Sequence, residues 1–360
     1  MKLDPAHGRS ATVKVAAVHA APVFLDRTAT TEKALGLIKE AAGNGARLVA
    51  FPESFIPAFP VWAALWAPIH NHDLFVRMAA NSITIDGPEI AALRESARRH
   101  EVIVSIGFSE ASPYSPGCLW NSFVLIDERG AVVNHHRKLV PTFYEKLIWA
   151  PGDGAGLRVV ATGAGRVGQL ICGENTNPLA RYSLMAQGEQ IHISSWPAVW
   201  PTKPPASGAN YDNVAANKTR AAAHSFEAKA FGIVCAGFLD RAMREFLVDR
   251  DAAIAGIVDA LPRAASLFVT PTGAETGDLL QAEEGIGYAE FDLTECVEPK
   301  QFHDVVGYYN RFDVFTLSVS RRRVVPIEFT DEPAEPKAGG PTGGAPGGAA
   351  AGEGEHDEGR

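Results

Sequence analysis

Apolar residues arrive along this chain in two rhythms, short unbroken runs and stripes spaced three or four apart, and the two alternate. Thr12–Val18 is a run that reads as a buried strand; from Thr28 to Ala42 the positions Ala34, Leu35, Ile38, Ala41 and Ala42 recur at helical spacing. Leu48–Phe51 is the next strand, and it delivers Glu53 just past its end, where functional groups collect in strand-helix-strand units. Residues 54–82, rich in Trp, Pro and His, break the rhythm. They are predicted to form a long irregular excursion with a short helix that walls a pocket. A helix over Pro88–His100 follows, then strands at Val102–Phe108, Asn121–Asp127 and Ala131–Arg137, the last two joined as a hairpin through Asp127-Glu128-Arg129-Gly130.

Further on, Arg166–Ile171 and Gln190–Ser194 read as strands flanking a helix at about 177–187, and a long helix over Asn210–Lys229 precedes a strand at Gly232–Phe238. Pro and Ala residues between 251 and 272 blur the next hairpin, whose return strand is placed at Gly285–Phe291. The recurring order predicts an α/β fold. From Asp331 to Arg360 the chain is rich in Gly, Ala, Pro and Glu without an aromatic residue, a composition that cannot bury enough apolar surface to fold. With no fixed-period repeat, the expected division is an extension over 1–11, one domain over 12–330 and a disordered tail over 331–360.

Composition narrows the partners. The 360 residues are 46% hydrophobic and 21% charged, enough for a substantial core. A formal charge of −9 with no dense Lys/Arg stripe argues against nucleic acid, which needs clustered cations. The four cysteines (118, 172, 235, 296) form no Cys-x-x-Cys pair, so neither a zinc site nor a disulfide framework is indicated. With no signal-like start and no apolar stretch near the ~18 residues of a membrane span, a soluble, cytoplasmic protein acting on a small metabolite is expected.

The chemistry centres on Cys172, which follows the apolar run ending at Ile171 and precedes Gly173-Glu174-Asn175. A thiol at a strand tip is a strong carbon nucleophile once neighbours take its proton. His192 and His224 follow it, but neither lies in a segment that marks it as a partner, and both read as ordinary core or polar histidines. Glu53 and Lys138 are the alternative: a desolvated carboxylate can take the thiol proton, and an ammonium stabilises thiolate and developing anion. Gly163–Gly168 fits Gly-x-Gly-x-x-Gly, yet a strand rather than a helix follows, which argues against a nucleotide site. His70, His72 and Asp73, and the pair His135-His136, lack further ligands at metal spacing and read as solvated loop and strand-end residues. The aromatic group Phe55, Phe59, Trp62 and Trp66, just after Glu53, is either core or pocket lining.

Phe51-Pro52-Glu53, the run from His136 to Thr142 and the Cys172 segment resemble, in order, the glutamate, lysine and nucleophile motifs of the nitrilase superfamily of carbon-nitrogen hydrolases. The resemblance runs from about Val13 to Leu317. Glu145 falls where the family places a second glutamate that orients the lysine; Trp149–Gly154, Glu174 and Asp304–Val314 are similar to the nitrilase branch. The chain departs from that branch at Gly173, where Trp is typical, and at Tyr308, where His is typical. Gly173 therefore removes an indole beside the nucleophile and is expected to enlarge or reshape the pocket. The resemblance implies a four-layer α-β-β-α sandwich, a homo-oligomer (a dimer or larger spiral assembly), and hydrolysis of a nitrile to acid and ammonia without metal or organic cofactor. It assigns catalysis to Glu53, Lys138 and Cys172 with Glu145 in support; beside these, Gly173, Trp196, Phe59 and Trp62 are expected to contact substrate. Amidase, carbamoylase or nitrile-to-amide chemistry on the same triad is the alternative activity, and a non-enzymatic scaffold the alternative class.

Overall fold

The structure is a computed structural model that describes residues 12–327; the expected extension 1–11 and tail 331–360 lie outside the described residues. The compact unit ends at Val324. In chain order it contains β1 (Thr12–His19), α1 (Arg27–Gly43), β2 (Leu48–Ala50), α2 (His72–Asn81), α3 (Pro88–His100), β3 (Ile103–Ala111), β4 (Leu119–Ile126), β5 (Val132–Arg137), β6 (Val160–Thr162) and β7 (Gly165–Ile171). Then come α4 (Pro178–Met185), β8 (Ile191–Trp196), α5 (Asn213–Ala228), β9 (Phe231–Ala236), α6 (Arg241–Arg250), α7 (Ala255–Asp259), β10 (Ser266–Val269), β11 (Glu275–Leu280) and β12 (Gly285–Asp292).

These strands form two six-stranded sheets, ordered β12-β1-β2-β3-β4-β5 and β11-β10-β9-β8-β7-β6. Each has a parallel trio, β1-β2-β3 in the first and β7-β8-β9 in the second, flanked by antiparallel strands. The alternation of a strand sorts side chains between layers. From β1, Val13, Val15 and Ala17 join Val167, Ile193, Ile233 and Phe268 between the sheets, while Ala16 and Val18 face outward onto Ala34 and Ile38 of α1 and Leu93 and Ala97 of α3. On the other side, Leu170 meets Ala180 and Leu184 of α4, and Val234 and Leu267 meet Ala221 of α5. The result is the four-layer α-β-β-α sandwich.

Three expectations change. Gly285–Asp292 is a strand, but it crosses back to the first sheet and pairs antiparallel with β1 instead of closing the preceding hairpin. That hairpin is β10–β11, and its return strand is a mostly exposed sheet edge whose composition carries no buried alternation. The excursion after Glu53 holds two short 3₁₀ turns besides α2. His136 is no solvated strand-end residue: it is fully buried against Phe123, because alternate positions of β5 point inward. The glycine-rich run at 163–168 makes the turn from β6 into β7, leading into a strand. Among the described residues no helix is long and apolar enough to cross a membrane.

Candidate active site

Glu53, Lys138, Glu145 and Cys172 converge beyond the strand ends of the two sheets. Glu53 lies three residues past β2 in a turn that crowds β3; a Cβ on Gly107 would stand 2.4 Å from the Pro52 carbonyl oxygen, so only glycine lets the turn close. Lys138 directly follows β5, its N–H donating to the Asn121 carbonyl of β4 (2.7 Å). Glu145 sits in a 3₁₀ turn whose cap it completes by accepting the Thr142 N–H (2.9 Å). Cys172 opens another 3₁₀ turn directly after β7 with φ +48°, a left-handed conformation that a non-glycine residue adopts only where its surroundings enforce it.

The polar contacts are short and fully buried. Lys138 Nζ donates to Glu53 Oε1 (2.7 Å) and Glu145 Oε2 (2.6 Å), and Asn121 Nδ2 donates to Glu53 Oε1 (2.6 Å). An oxygen of Glu53, an oxygen of Glu145 and the Cys172 sulfur lie within 4.8 Å of one another. Burial, with the neighbouring Glu145, drives the Glu53 carboxyl up to about 7 against the pull of Lys138, and its Oε2 has no protein hydrogen-bond partner. Burial and Glu53 also push the Cys172 thiol well up, opposed by Lys138 and by the Gly173 N–H that hydrogen-bonds the sulfur. For Lys138 burial favours the neutral amine, but Cys172, Glu145 and Glu53 outweigh it and hold the ammonium well above its ordinary range. The resting arrangement is thus a protonated amine between two carboxyl groups, beside a thiol that loses its proton only to a close base.

A further glutamate ties the lysine and cysteine segments together. Glu174 Oε1 accepts from the Leu139 N–H (2.6 Å), Oε2 from the Ile171 N–H (2.8 Å), and both lie 3.0 Å from His136 Nε2. Asn175 holds the nucleophile turn from its other side, donating to the Cys172 carbonyl (3.0 Å) while its Oδ1 meets His192 Nε2 (2.8 Å). Sequence reading missed Asn121, whose signal was an amide inside an otherwise apolar strand.

A cleft with a free volume of about 40 Å³ opens onto Cys172 and Gly173, walled by Thr142, Trp196, Trp200 and Tyr211. Trp196 therefore lies beside the nucleophile. Phe59 and Trp62 are instead buried in an apolar cluster: Phe59 packs edge-on to Trp149, and Trp62 lines a second cleft with Phe75 and Ile148. The direction in which a side chain would leave Gly173 is already filled, because a Cβ there would stand 2.6 Å from Thr142 Oγ1.

Among the described residues, two groups bring metal-type ligand atoms together: Glu53, Glu145 and Cys172, and Glu189, His192 and His224. In the first, the Lys138 ammonium already bonds both carboxylates. In the second, each Glu189 oxygen meets an imidazole nitrogen, at 2.8 Å and 2.7 Å, which makes it a hydrogen-bonded core cluster.

Among solved structures the fold is similar to a carbon-nitrogen hydrolase from Helicobacter pylori, with a TM-score of 0.63 at 19% identity over 84% of this chain and 96% of the other. The chain is also 33% identical over 334 residues to an aliphatic nitrilase of Rhodococcus rhodochrous, covering 91% of this chain and 85% of that one. It is 36% identical over 319 residues to an arylacetonitrilase of Hypocrea virens, covering 86% and 92%. The carbon-nitrogen hydrolase family profile matches residues 14–301, and the chain belongs to that family. It is a hydrolase acting on carbon-nitrogen bonds.

Proposed function

We propose that this hydrolase is a nitrilase that converts an organic nitrile and two waters to the carboxylic acid and ammonia, with Cys172 as nucleophile. The observation that carries the reading is the buried Glu53 carboxylate, held by Lys138 through one oxygen and unpaired at the other, within 4.8 Å of the thiol. The nitrilase relatives supply the substrate class.

In this mechanism Glu53 takes the thiol proton as the sulfur adds to the nitrile carbon; one carbon-nitrogen π bond breaks, and the nitrogen receives the proton to give a thioimidate. Negative charge developing on nitrogen is met by the Lys138 ammonium and the Gly173 N–H. Glu53 then draws a proton from water as it adds to the carbon, and the amine leaves as ammonia, forming a thioester. A second water releases the acid and restores the thiol. Glu145 keeps Lys138 aimed throughout.

Incubation with a nitrile panel, quantifying ammonia, acid and amide, tests this directly. Ammonia and acid in equal amounts are expected, and replacing Cys172 by Ala abolishes both. Release of amide alone, or hydrolysis of amides with nitriles untouched, overturns the nitrilase reading. The expected homo-oligomer is likewise a proposal, supported by the exposed Tyr308, Tyr309, Phe312 and Phe315, and sedimentation velocity tests it.

A further inference from the structure

The cleft that opens onto Cys172 ends in a cation. Asn213, Asn217 and Arg220 occupy positions i, i+4 and i+7 of α5, one face of the helix, and all three line the cleft. Arg220 Nε donates to Thr176 Oγ1 (2.7 Å), on the turn that carries the nucleophile, and its guanidinium carbon lies 5.5 Å from the Trp196 ring and 5.9 Å from the Tyr211 ring. These contacts hold the guanidinium in one orientation. Its Nη1 is sealed from solvent with no protein acceptor, and among the described residues no carboxylate lies within ion-pair distance of it.

An unpaired Nη1 in such a place is costly to keep, since a sealed donor without a partner forfeits its hydration, even on a side chain that is only part-buried. Arg137, Arg181 and Arg323 lie against Glu110, Glu227 and Asp153, whereas Arg220 has no such partner beside the nucleophile among the described residues. The chain carries nine more acidic than basic residues, so carboxylates are not scarce. Asn217 adds a second group without a partner. Its Oδ1 is buried with no donor, and turning the amide over, which exchanges two nearly indistinguishable atoms, puts a donor in that place, on the same cleft that Arg220 lines. A planar fork and an amide together match a carboxylate.

The other dimension is width. The cleft is narrow, leaving about 40 Å³ within reach of the centre of a water-sized group between the walls Trp196 and Trp200, so the space between nucleophile and cation suits a slim methylene chain better than an aromatic ring. We propose that Arg220, with Asn217, forms an anion subsite that selects short aliphatic nitriles carrying a carboxylate at the end remote from the reacting carbon. This rests on the reading of Cys172 as the nucleophile of nitrile hydrolysis.

The test compares cyanopropanoate with isocapronitrile, in which an isopropyl group replaces the carboxylate at equal chain length, and runs their amide counterparts, succinamate and isocaproamide, beside them. The native enzyme is expected to show a kcat/KM for cyanopropanoate at least about tenfold above that for isocapronitrile, the factor a hydrogen bond to a charged group supplies. That preference shrinks as salt is raised. Arg220→Gln removes it, lowering the anionic substrate about ten- to a hundredfold through KM while changing isocapronitrile less than about threefold; Arg220→Lys restores part of it. Equal losses on both nitriles, or a native preference for isocapronitrile, overturn the subsite and leave nitrile hydrolysis standing. Should neither nitrile be consumed while succinamate is preferred over isocaproamide in an Arg220-dependent manner, the subsite stands and the nitrilase reading falls. If Arg220→Gln does not fold, the native preference, its salt dependence and Arg220→Lys still decide.

Discussion

Glu53 and Glu189 are both sealed inside the same sandwich, yet their carboxyls lie at opposite ends of the acid range, about 7 for one and about 2 for the other. Burial works against the charge of each. Around Glu189 it is more than offset, because His192 and His224 each meet one oxygen and no second carboxylate intrudes. Glu53 has Lys138 and Asn121 crowded on one oxygen, nothing on the other, and Glu145 competing for the same ammonium. A carboxylate with a donor on each oxygen is structural. One whose two donors crowd a single oxygen beside a second acidic group is primed to accept a proton, and since both glutamates are buried with two donors each, placement and neighbouring charge decide the difference.

Exchanging each glutamate for its amide breaks this comparison most strongly. Glu53→Gln should lower turnover about a thousandfold while leaving thermal stability at neutral pH unchanged or raised. Glu189→Gln should do the reverse: it confronts two imidazoles with a poorer acceptor, costs about 3 kcal/mol of stability in denaturant titration, and spares the turnover of the folded fraction. A Glu53→Gln protein that unfolds at room temperature, or a Glu189→Gln protein that is stable and inactive, would show that the two roles have been drawn the wrong way round.

The pH dependence of stability sharpens the contrast. Glu53 is raised from 4.5 to about 7 in the folded protein, so the folded state binds its proton more tightly and gains stability as pH falls through that range. His224 is lowered from 6.5 to about 4 by burial and by His192, so its neutral form contributes stability that is present above 6.5 and lost as pH falls toward 4. Between pH 6.5 and 4.5 Glu53 opposes both His224 and His19, which burial likewise lowers, so it softens the loss of stability that the histidines cause on acidification. Glu53→Gln removes that opposition, and its stability should then fall more steeply than the native protein's, by up to about 1.4 kcal/mol per pH unit. Thermal melts across that window read the two slopes; equal slopes would rule out the opposition.

The smallest effect tests the packing around the nucleophile. Gly173→Ala drives a methyl into Thr142 Oγ1 and should cost about 1–3 kcal/mol together with a loss of rate, and adding Thr142→Ala should recover most of both. An additive double variant would sink the contact.

Much of this was legible in the sequence wherever a local pattern carries the information. The runs and stripes of β1, α1 and the β4–β5 hairpin stand out, as do the four residues that meet at the site, because each lies in its own motif. What escaped depends on distant partners. β11 is an exposed edge whose residues need not alternate, so nothing marked it as the hairpin's return. The strand pattern at Gly285–Asp292 was plain, but its pairing with β1 joins residues nearly three hundred apart. Helix α6 was passed over although its signals are present, an Asp240 cap and the stripe Met243, Phe246, Leu247. Asn121 and Arg220 owe their significance to hydrogen bonds across 68 and 44 residues, which no local window contains.

The pairing of the last strand with the first has a consequence for synthesis. Until residue 292 leaves the ribosome, the nascent polypeptide displays β1 as a raw backbone edge, able to zip onto the same segment of a neighbouring copy. Only the arrival of β12 covers that edge, so this enzyme is most vulnerable to clumping while it is being made, before its final strand exists to protect its first.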